Sequence, residues 1–223
     1  MNKFDEIQII RDFLQKIIHM KSVLFIDFDG TLCHDRFWKS IDASSFEQIQ
    51  NFLFSENKSI IRDWMKGVYS SEDINRLISK RLNISFEKLW KVFVDDCTDM
   101  MVSRDSLNRI KKLKKDYKTI LITDNMDCFT RFTVPALNLS SYFDSIVNSF
   151  ENKKFKEYNE GEIFIQLADD AHTKIEDCIL IDNSKTACAT FSKLGGKSCF
   201  VTAETSLDYW LGNLHFFPGL TNS

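Results

Sequence analysis

Several short segments of this chain are largely apolar, at residues 23–26, 119–122, 145–148, 178–181 and 198–201. Strands that are covered on both faces of a sheet show continuous apolar runs, whereas half-exposed strands alternate. Helical patterns lie between the later segments, at residues 127–137, 160–171 and 184–194, and the last of them stops at Gly195. This alternation predicts right-handed crossovers and an α/β class fold, a Rossmann-like, doubly wound parallel sheet.

Between the first two apolar segments the pattern changes. Residues 33–102 contain several helix starts, with a capping box at Ser44-Ser45-Phe46-Glu47 and similar helical patterns at residues 70–82 and 85–93. Because a crossover needs only about a dozen residues, the excess predicts an inserted helical subdomain. We expect an α/β core at residues 1–32 and 103–223 and an α-helical cap at 33–102, above the strand ends where ligands bind.

Composition excludes several classes of protein. The chain has 223 residues, of which 43% are hydrophobic and 13% aromatic, so a disordered chain is excluded. A formal charge of -3 argues against a nucleic-acid partner. No apolar run is long enough to span a membrane.

The N-terminal segment and the cysteines bear on the cellular compartment. Residues 1–20 have the apolar stripe of an amphipathic helix, interrupted by charges, and not the pattern of a secretory signal. The six cysteines are scattered without metal-binding spacing. We therefore expect reduced thiols, no zinc and a cytoplasmic location.

The end of the first apolar segment carries an unusual pair of acids, Asp27 and Asp29, around Gly30 and Thr31. A turn needs one such residue and a buried strand end needs none, so structure alone does not explain both. This Asp-Phe-Asp-Gly-Thr segment resembles motif I of the haloacid dehalogenase-like (HAD) superfamily of Mg-dependent phosphohydrolases. The resemblance covers about residues 21–201, and the predicted cap is similar to the helical C1 type that follows motif I.

The resemblance implies a role for each acid. Asp27 would be the nucleophile that forms an aspartyl-phosphate, and Asp29 the general acid that protonates the leaving oxygen and then activates water. Carboxylate and phosphate repel, and Mg²⁺ would bridge them. In the family, the backbone carbonyl of the second acid is also a metal ligand, so Asp27 and Asp29 both count as metal residues.

Later motifs have candidates at the ends of later segments. Thr123 resembles the hydroxyl that binds the phosphoryl group, although Asp124 stands where the family more often has Asn. Counting from Ser149 favours Lys156 as the phosphate-binding lysine, with Lys154 left open. Asp182 resembles the remaining metal ligand, and Asn183 replaces the second acid that many relatives have, which implies a weaker or water-mediated outer metal shell.

These implications predict a Mg²⁺-dependent phosphomonoesterase that acts on a small phosphorylated metabolite, with cap closure expelling water. A phosphomutase, a phosphonate hydrolase and a catalytically lapsed binding module stay open as alternatives. A dehalogenase is disfavoured, because carbon–halogen cleavage requires neither a metal nor protonation of the leaving group. The sequence identifies neither the substrate nor the oligomeric state.

Overall fold

A computed structural model describes residues 21–214, so the amphipathic helix predicted within residues 1–20 lies outside the described residues. Five parallel strands form one sheet in the order β3-β2-β1-β4-β5, which confirms the predicted α/β fold. Their bounds are Ser22–Ile26 (β1), Tyr117–Thr123 (β2), Ser145–Asn148 (β3), Ile179–Asp182 (β4) and Lys197–Phe200 (β5). The central strand β1 therefore has a neighbour on each side.

Ten α-helical segments are described. Their bounds are Ala43–Gln50 (α1), Lys58–Met65 (α2), Ser71–Leu82 (α3), Phe86–Thr98 (α4), Arg104–Leu113 (α5), Val134–Ala136 (α6), Ser149–Asn152 (α7), Glu162–Asp170 (α8), Lys185–Lys193 (α9) and Leu207–Gly212 (α10). Helix α1 continues as a π-helix, Asn51–Glu56, and a second π-helix, Phe129–Thr133, leads into α6. Three 3₁₀ turns occur at Leu139–Ser141, Tyr158–Glu160 and Ile175–Asp177. None of the helices within residues 21–214 combines the length and apolar character needed to cross a membrane.

Strand β1 is continuously apolar from Val23 to Ile26 because both faces of the sheet are covered. Val23 and Phe25 belong to one hydrophobic cluster, and Leu24 and Ile26 belong to another. On the first face the ring of Phe25 packs edge-on against Phe164 of α8 and Phe191 of α9, with centroids 5.4 and 5.7 Å away. This two-sided burial is the physical reason for the continuous apolar pattern in the sequence.

Helices α1–α4 lie between β1 and β2 and have a hydrophobic cluster of their own. Its largest fully buried side chains include Trp38, Trp64 and Phe93, and the rings of Trp38 and Phe93 lie 4.8 Å apart. Met126 and Cys128, from the segment after β2, complete the same cluster. The inserted helices therefore pack against the α/β core at this point, while the boundary of 33–102 stays a prediction.

The starts of these helices follow local capping rules. Ser70 caps α3 in a capping box with Asp73, and Ser85 caps α4, as the sequence predicts. The predicted capping box at Ser44 is wrong. The N-cap of α1 is Asp42, whose carboxylate accepts a hydrogen bond from the backbone N–H of Ser45, so Ser44 already lies inside the helix.

Candidate active site

The carboxyl edge of the sheet brings together three of the predicted site residues. Asp27 directly follows β1, Thr123 ends β2 and Asp182 ends β4. Because β2 and β4 flank β1 and all three run in parallel, their last residues meet at one edge. The backbone N–H of Asp27 donates to the carbonyl of Ile181 at 3.0 Å. This bond holds Asp27 close to Asp182, the residue after Ile181. Asp27 and Asp182 are buried.

A buried lysine joins the two carboxylates. The Nζ of Lys156 donates to Oδ1 of Asp27 at 2.8 Å and to Oδ2 of Asp182 at 2.5 Å. A buried ammonium is tolerated here because each carboxylate offers a charge-assisted hydrogen bond. Lys154, the alternative, instead pairs with Glu162 at 3.2 Å and is partly exposed. Of the favoured Lys156 and the alternative Lys154, only Lys156 contacts the other predicted site residues.

The site places more negative than positive charge in a buried space. Burial raises the pKa of Asp27 to about 7; Lys156 opposes that shift and Asp182 reinforces it. Burial alone would lower the pKa of Lys156, but the neighbouring carboxylates of Asp27 and Asp182 raise it above its ordinary value. The lysine is therefore a permanent cation between two acids.

Asp124 follows Thr123 and has a role of its own at this edge. Its carboxylate accepts the backbone N–H of Lys156 at 3.1 Å, and this bond holds the segment that carries the lysine. Burial raises the pKa of Asp124 to about 6, against the effect of Lys156. Asp124, which stands where the family more often has Asn, thus supports the position of Lys156.

Asp29 stands apart from the buried acids. Its side chain is 55% exposed and accepts a hydrogen bond from Nη1 of Arg36 at 2.7 Å. The packed surroundings of its carboxyl raise the pKa of Asp29, and the guanidinium of Arg36 acts in the opposite direction. Asp29 thus faces the mouth of the site rather than the Lys156 cluster.

The turn that follows the two acids is held by Gly30 and Asn183. Gly30 has a φ of 78°, which favours glycine, and a Cβ there would lie 2.1 Å from the side-chain nitrogen of Asn183. The backbone N–H of Asn183 donates to the hydroxyl of Thr31 at 3.1 Å. The loops after β1 and β4 therefore interlock through Asn183.

The hydroxyl of Thr123 lies at the same edge of the sheet. It is buried, and no hydrogen bond to it occurs among residues 21–214. A buried hydroxyl is costly without a hydrogen bond, so the geometry suits a ligand oxygen beside it.

Solved structures of known proteins share this architecture. A HAD family enzyme from Bacteroides thetaiotaomicron, in complex with magnesium and inorganic phosphate, is 19% identical, with a TM-score of 0.63 over 82% of this chain and 95% of that one. A predicted HAD-like family hydrolase from Porphyromonas gingivalis is 20% identical, with a TM-score of 0.66 over 89% and 98%. A HAD phosphatase from Thermococcus onnurineus is 17% identical, with a TM-score of 0.57 over 92% and 100%.

The chain has the HAD-like fold. Dehalogenases of 13–14% identity share it too, so the fold alone does not select the reaction. No protein-family model matches the sequence, and no curated protein does either.

The carboxylates at these strand ends suit a Mg²⁺ ion that completes its coordination with water or phosphate oxygens, rather than a metal held by protein ligands alone. Mg²⁺ prefers hard oxygen ligands and often uses one or two carboxylates together with water and phosphate oxygens. Asp27 and Asp182 supply two buried carboxylates on adjacent strand ends. Within the described part of the chain, no group of three or more His, Cys, Asp or Glu side chains is placed to hold a metal. The predicted contribution of Asp29 is accordingly its backbone carbonyl.

Asp127, an acid that joins the segment after β2 to the inserted helices, had no recognisable signal in the sequence. It is buried after β2, and its carboxylate accepts hydrogen bonds from Trp64 and Ser71, which lie in the inserted helices. Those partners are 63 and 56 residues away along the chain, so no local pattern marks the acid.

Proposed function

We propose that this protein is a Mg²⁺-dependent phosphomonoesterase that hydrolyses a small phosphorylated metabolite through an aspartyl-phosphate on Asp27. The observation that carries the proposal is the buried bridge from Lys156 to Asp27 and Asp182, beside the partnerless hydroxyl of Thr123. This arrangement offers a nucleophile, a fixed cation and a hydrogen-bond donor within one edge of the sheet.

Asp27 attacks phosphorus through a carboxylate oxygen, and the bond from phosphorus to the ester oxygen breaks. Lys156 and the hydroxyl of Thr123 bind the non-bridging oxygens and hold the phosphoryl group in line with Asp27. Asp27, Asp182 and the backbone carbonyl of Asp29 would hold Mg²⁺, and the bound ion would neutralise charge between the phosphate and these acids.

Asp29 handles the proton. Its carboxylic acid form donates to the departing ester oxygen, and the resulting carboxylate takes a proton from the water that hydrolyses the aspartyl-phosphate. For this the carboxyl must release Arg36, which its half-exposed position permits. The presence of an acid at position 29 also argues against dehalogenation, because a halide leaves without taking up a proton.

The comparisons support this function in two ways. The Bacteroides thetaiotaomicron enzyme of the same fold binds magnesium and inorganic phosphate, and the Thermococcus onnurineus protein is a phosphatase. We assign the activity to the cytoplasm, because all six cysteines are free and buried, as in proteins of reducing compartments.

The test is release of inorganic phosphate from an aryl phosphate and from a panel of phosphorylated metabolites, with Mg²⁺ and with a chelator. We expect metal-dependent release by the wild type and a loss of about a thousandfold or more in kcat for Asp27→Asn. The matched control is Asp170→Asn at the exposed end of α8, which should keep the wild-type rate.

Trapping separates the alternatives. Borohydride reduction of an aspartyl-phosphate during turnover should change the mass of the peptide that contains Asp27. Transfer of phosphate to a sugar hydroxyl would instead indicate a mutase, and cleavage of a carbon–phosphorus bond a phosphonate hydrolase. Phosphate binding without metal-dependent turnover of any substrate would refute the proposal in favour of a binding module.

A further inference from the structure

The lysine of the proposed site lies in a segment without regular secondary structure. Lys156 follows α7 and precedes the 3₁₀ turn Tyr158–Glu160, so it belongs to neither a helix nor a strand. Its backbone N–H donates to the carboxylate of Asp124 at 3.1 Å, and this bond ties the segment to the core. A single bond leaves the backbone on either side of it free to rotate. The place of the ammonium group therefore also depends on what holds the neighbouring residues.

Phe155, the residue before Lys156, is in contact with the insertion. Its side chain is buried, yet it belongs to none of the three hydrophobic clusters within residues 21–214. The guanidinium of Arg62, on α2, lies over the ring, with its central carbon 4.5 Å from the ring centroid. This distance is inside the limit of about 6 Å for a cation–π contact. Arg62 thus covers an aromatic ring that the clusters leave out.

No ion pair competes for the guanidinium of Arg62. Within the described part of the chain, no carboxylate of Asp or Glu lies within ion-pair distance of it. Arg62 is exposed, whereas the ring beneath it is buried. A planar guanidinium binds the face of an aromatic ring both by charge and by stacking. The contact with Phe155 is therefore the specific interaction of this side chain.

Helix α2 also contacts the start of the segment that leads to Lys156. The hydroxyl of Ser149, the first residue of α7, donates to the carbonyl of Met65, the last residue of α2, at 2.9 Å. Arg62 and Met65 are three positions apart, so they lie on one face of α2. This face holds the segment at two points, Ser149 and Phe155.

We infer that Arg62 is a positioning residue for the proposed reaction, which acts through Phe155 to hold Lys156 in place and so couples the inserted helices to phosphate binding. The inference rests on the proposed function, and it adds a residue of the insertion to the machinery of the site. Arg62 acts through the ring and does not need to touch the phosphate.

The first test is Arg62→Gln, which removes the cation and keeps a polar side chain. KM for an aryl phosphate and the inhibition constant of inorganic phosphate should both rise about two- to fivefold, the value of one exposed cation–π contact. The value of kcat should change by less than about twofold, because a fixed cation binds the phosphate in the ground state and in the transition state alike. Arg62→Lys keeps a cation over the ring and should restore most of the affinity.

Arg81→Gln is the matched control. Arg81 of α3 lies over the ring of Phe52 at 5.4 Å, and both residues belong to the insertion. Loss of this contact removes a cation–π pair of the same kind without touching the segment of Lys156. Its KM and inhibition constant should equal those of the wild type, and equal increases in the two variants would overturn the inference.

A double-mutant cycle tests whether the effect passes through the ring. Phe155→Leu replaces the ring by an aliphatic side chain and should itself raise KM. Arg62→Gln added to Phe155→Leu should then have no further effect, because the two changes remove the same contact. An undiminished effect of Arg62→Gln in that background would overturn the assignment.

Hydrogen exchange tests the coupling without reference to activity. The amide of Lys156, which donates to Asp124, should exchange about two- to fivefold faster in Arg62→Gln than in the wild type or in Arg81→Gln. Unchanged exchange, or an unchanged KM in an active Arg62→Gln, would overturn the inference and leave the phosphatase proposal standing. Absence of metal-dependent phosphate release by the wild type would overturn both.

Discussion

Two of the regions where the insertion contacts the α/β core differ in burial and in hydrogen bonding. One region surrounds Asp127, and the other surrounds Asp29 and Arg36. Asp127 is 3% exposed, whereas the side chains of Asp29 and Arg36 are 55% and 50% exposed. Loss of a charged group is expected to destabilise the fold strongly at the buried Asp127 and only slightly at the exposed pair of Asp29 and Arg36.

At the first region one carboxylate collects donors from both parts of the chain. Asp127 accepts from Nε1 of Trp64 at 2.8 Å and from the hydroxyl of Ser71 at 2.6 Å. Arg131 donates to Asp127 at 2.7 Å and also forms a two-bond ion pair with Glu72, at 2.7 and 2.9 Å. These bonds fix the helices to the core.

At the second region a single ion pair faces water. The bond from Arg36 to Asp29 joins the start of the insertion to the proposed acid, and solvent screens it. We therefore expect the helices to keep their place at Asp127, and the motion that accompanies substrate binding to occur around Arg36. Cap closure, predicted from the sequence, would then be a local movement.

The largest expected effect on stability is at the buried region. Asp127→Ala leaves the donors of Trp64, Ser71 and Arg131 without their acceptor and should lower the free energy of unfolding by about 3 kcal/mol or more. Urea denaturation measures this. The matched variant Asp29→Ala should cost less than about 1 kcal/mol while abolishing turnover. Equal losses of stability in the two variants would contradict the contrast between the regions.

A smaller effect is expected at the partly exposed rim of the buried region. The hydrogen bond from Arg131 lowers the pKa of Glu72, so its carboxylate adds stability at pH values above its unfolded pKa, and that stability is lost as pH falls through the folded pKa. Glu72→Gln should therefore cost about 1 kcal/mol or less at pH 7. The difference from the wild type should vanish in acid, as measured by urea unfolding between pH 3 and pH 7, roughly the window around the ordinary glutamate pKa. A constant difference across this range would exclude the ion pair as its cause.

The smallest effect on stability is expected at the exposed region. Arg36→Met removes one solvent-screened ion pair and should change the free energy of unfolding by about 0.5 kcal/mol or less. Thermal or urea unfolding beside Asp127→Ala makes the comparison direct. A loss as large as that of the buried variant would show that the exposed ion pair, too, fixes the insertion.

Local sequence signals predicted the sheet well because the cause of the pattern is local. Residues 23–26 of β1 are apolar at every position, since helices cover both faces of the sheet. Capping signals were less decisive. Asp42 and Ser44 both offer an oxygen acceptor close to the start of α1, and only the backbone course selects Asp42.

The site was harder to predict from the sequence, because its contacts join residues that are far apart along the chain. Asp27, Thr123 and Asp182 were found because each ends an apolar segment, whereas Lys156 depended on counting along a polar loop. Its bonds to Asp27 and Asp182 span 129 and 26 residues. The partnerless state of the Thr123 hydroxyl depends on the whole surrounding fold, so no sequence pattern predicts it.

The shared hydrophobic cluster has a consequence for chimeric enzymes. Met126 and Cys128 fill the interior of the inserted helices although they follow β2, and Arg131 reaches Glu72 from the same stretch. A graft that exchanges only the segment between β1 and β2 would remove Met126 and Cys128 from the hydrophobic cluster of the inserted helices. Transplanting the inserted helices into another scaffold will require residues 126–131 to be transferred with them.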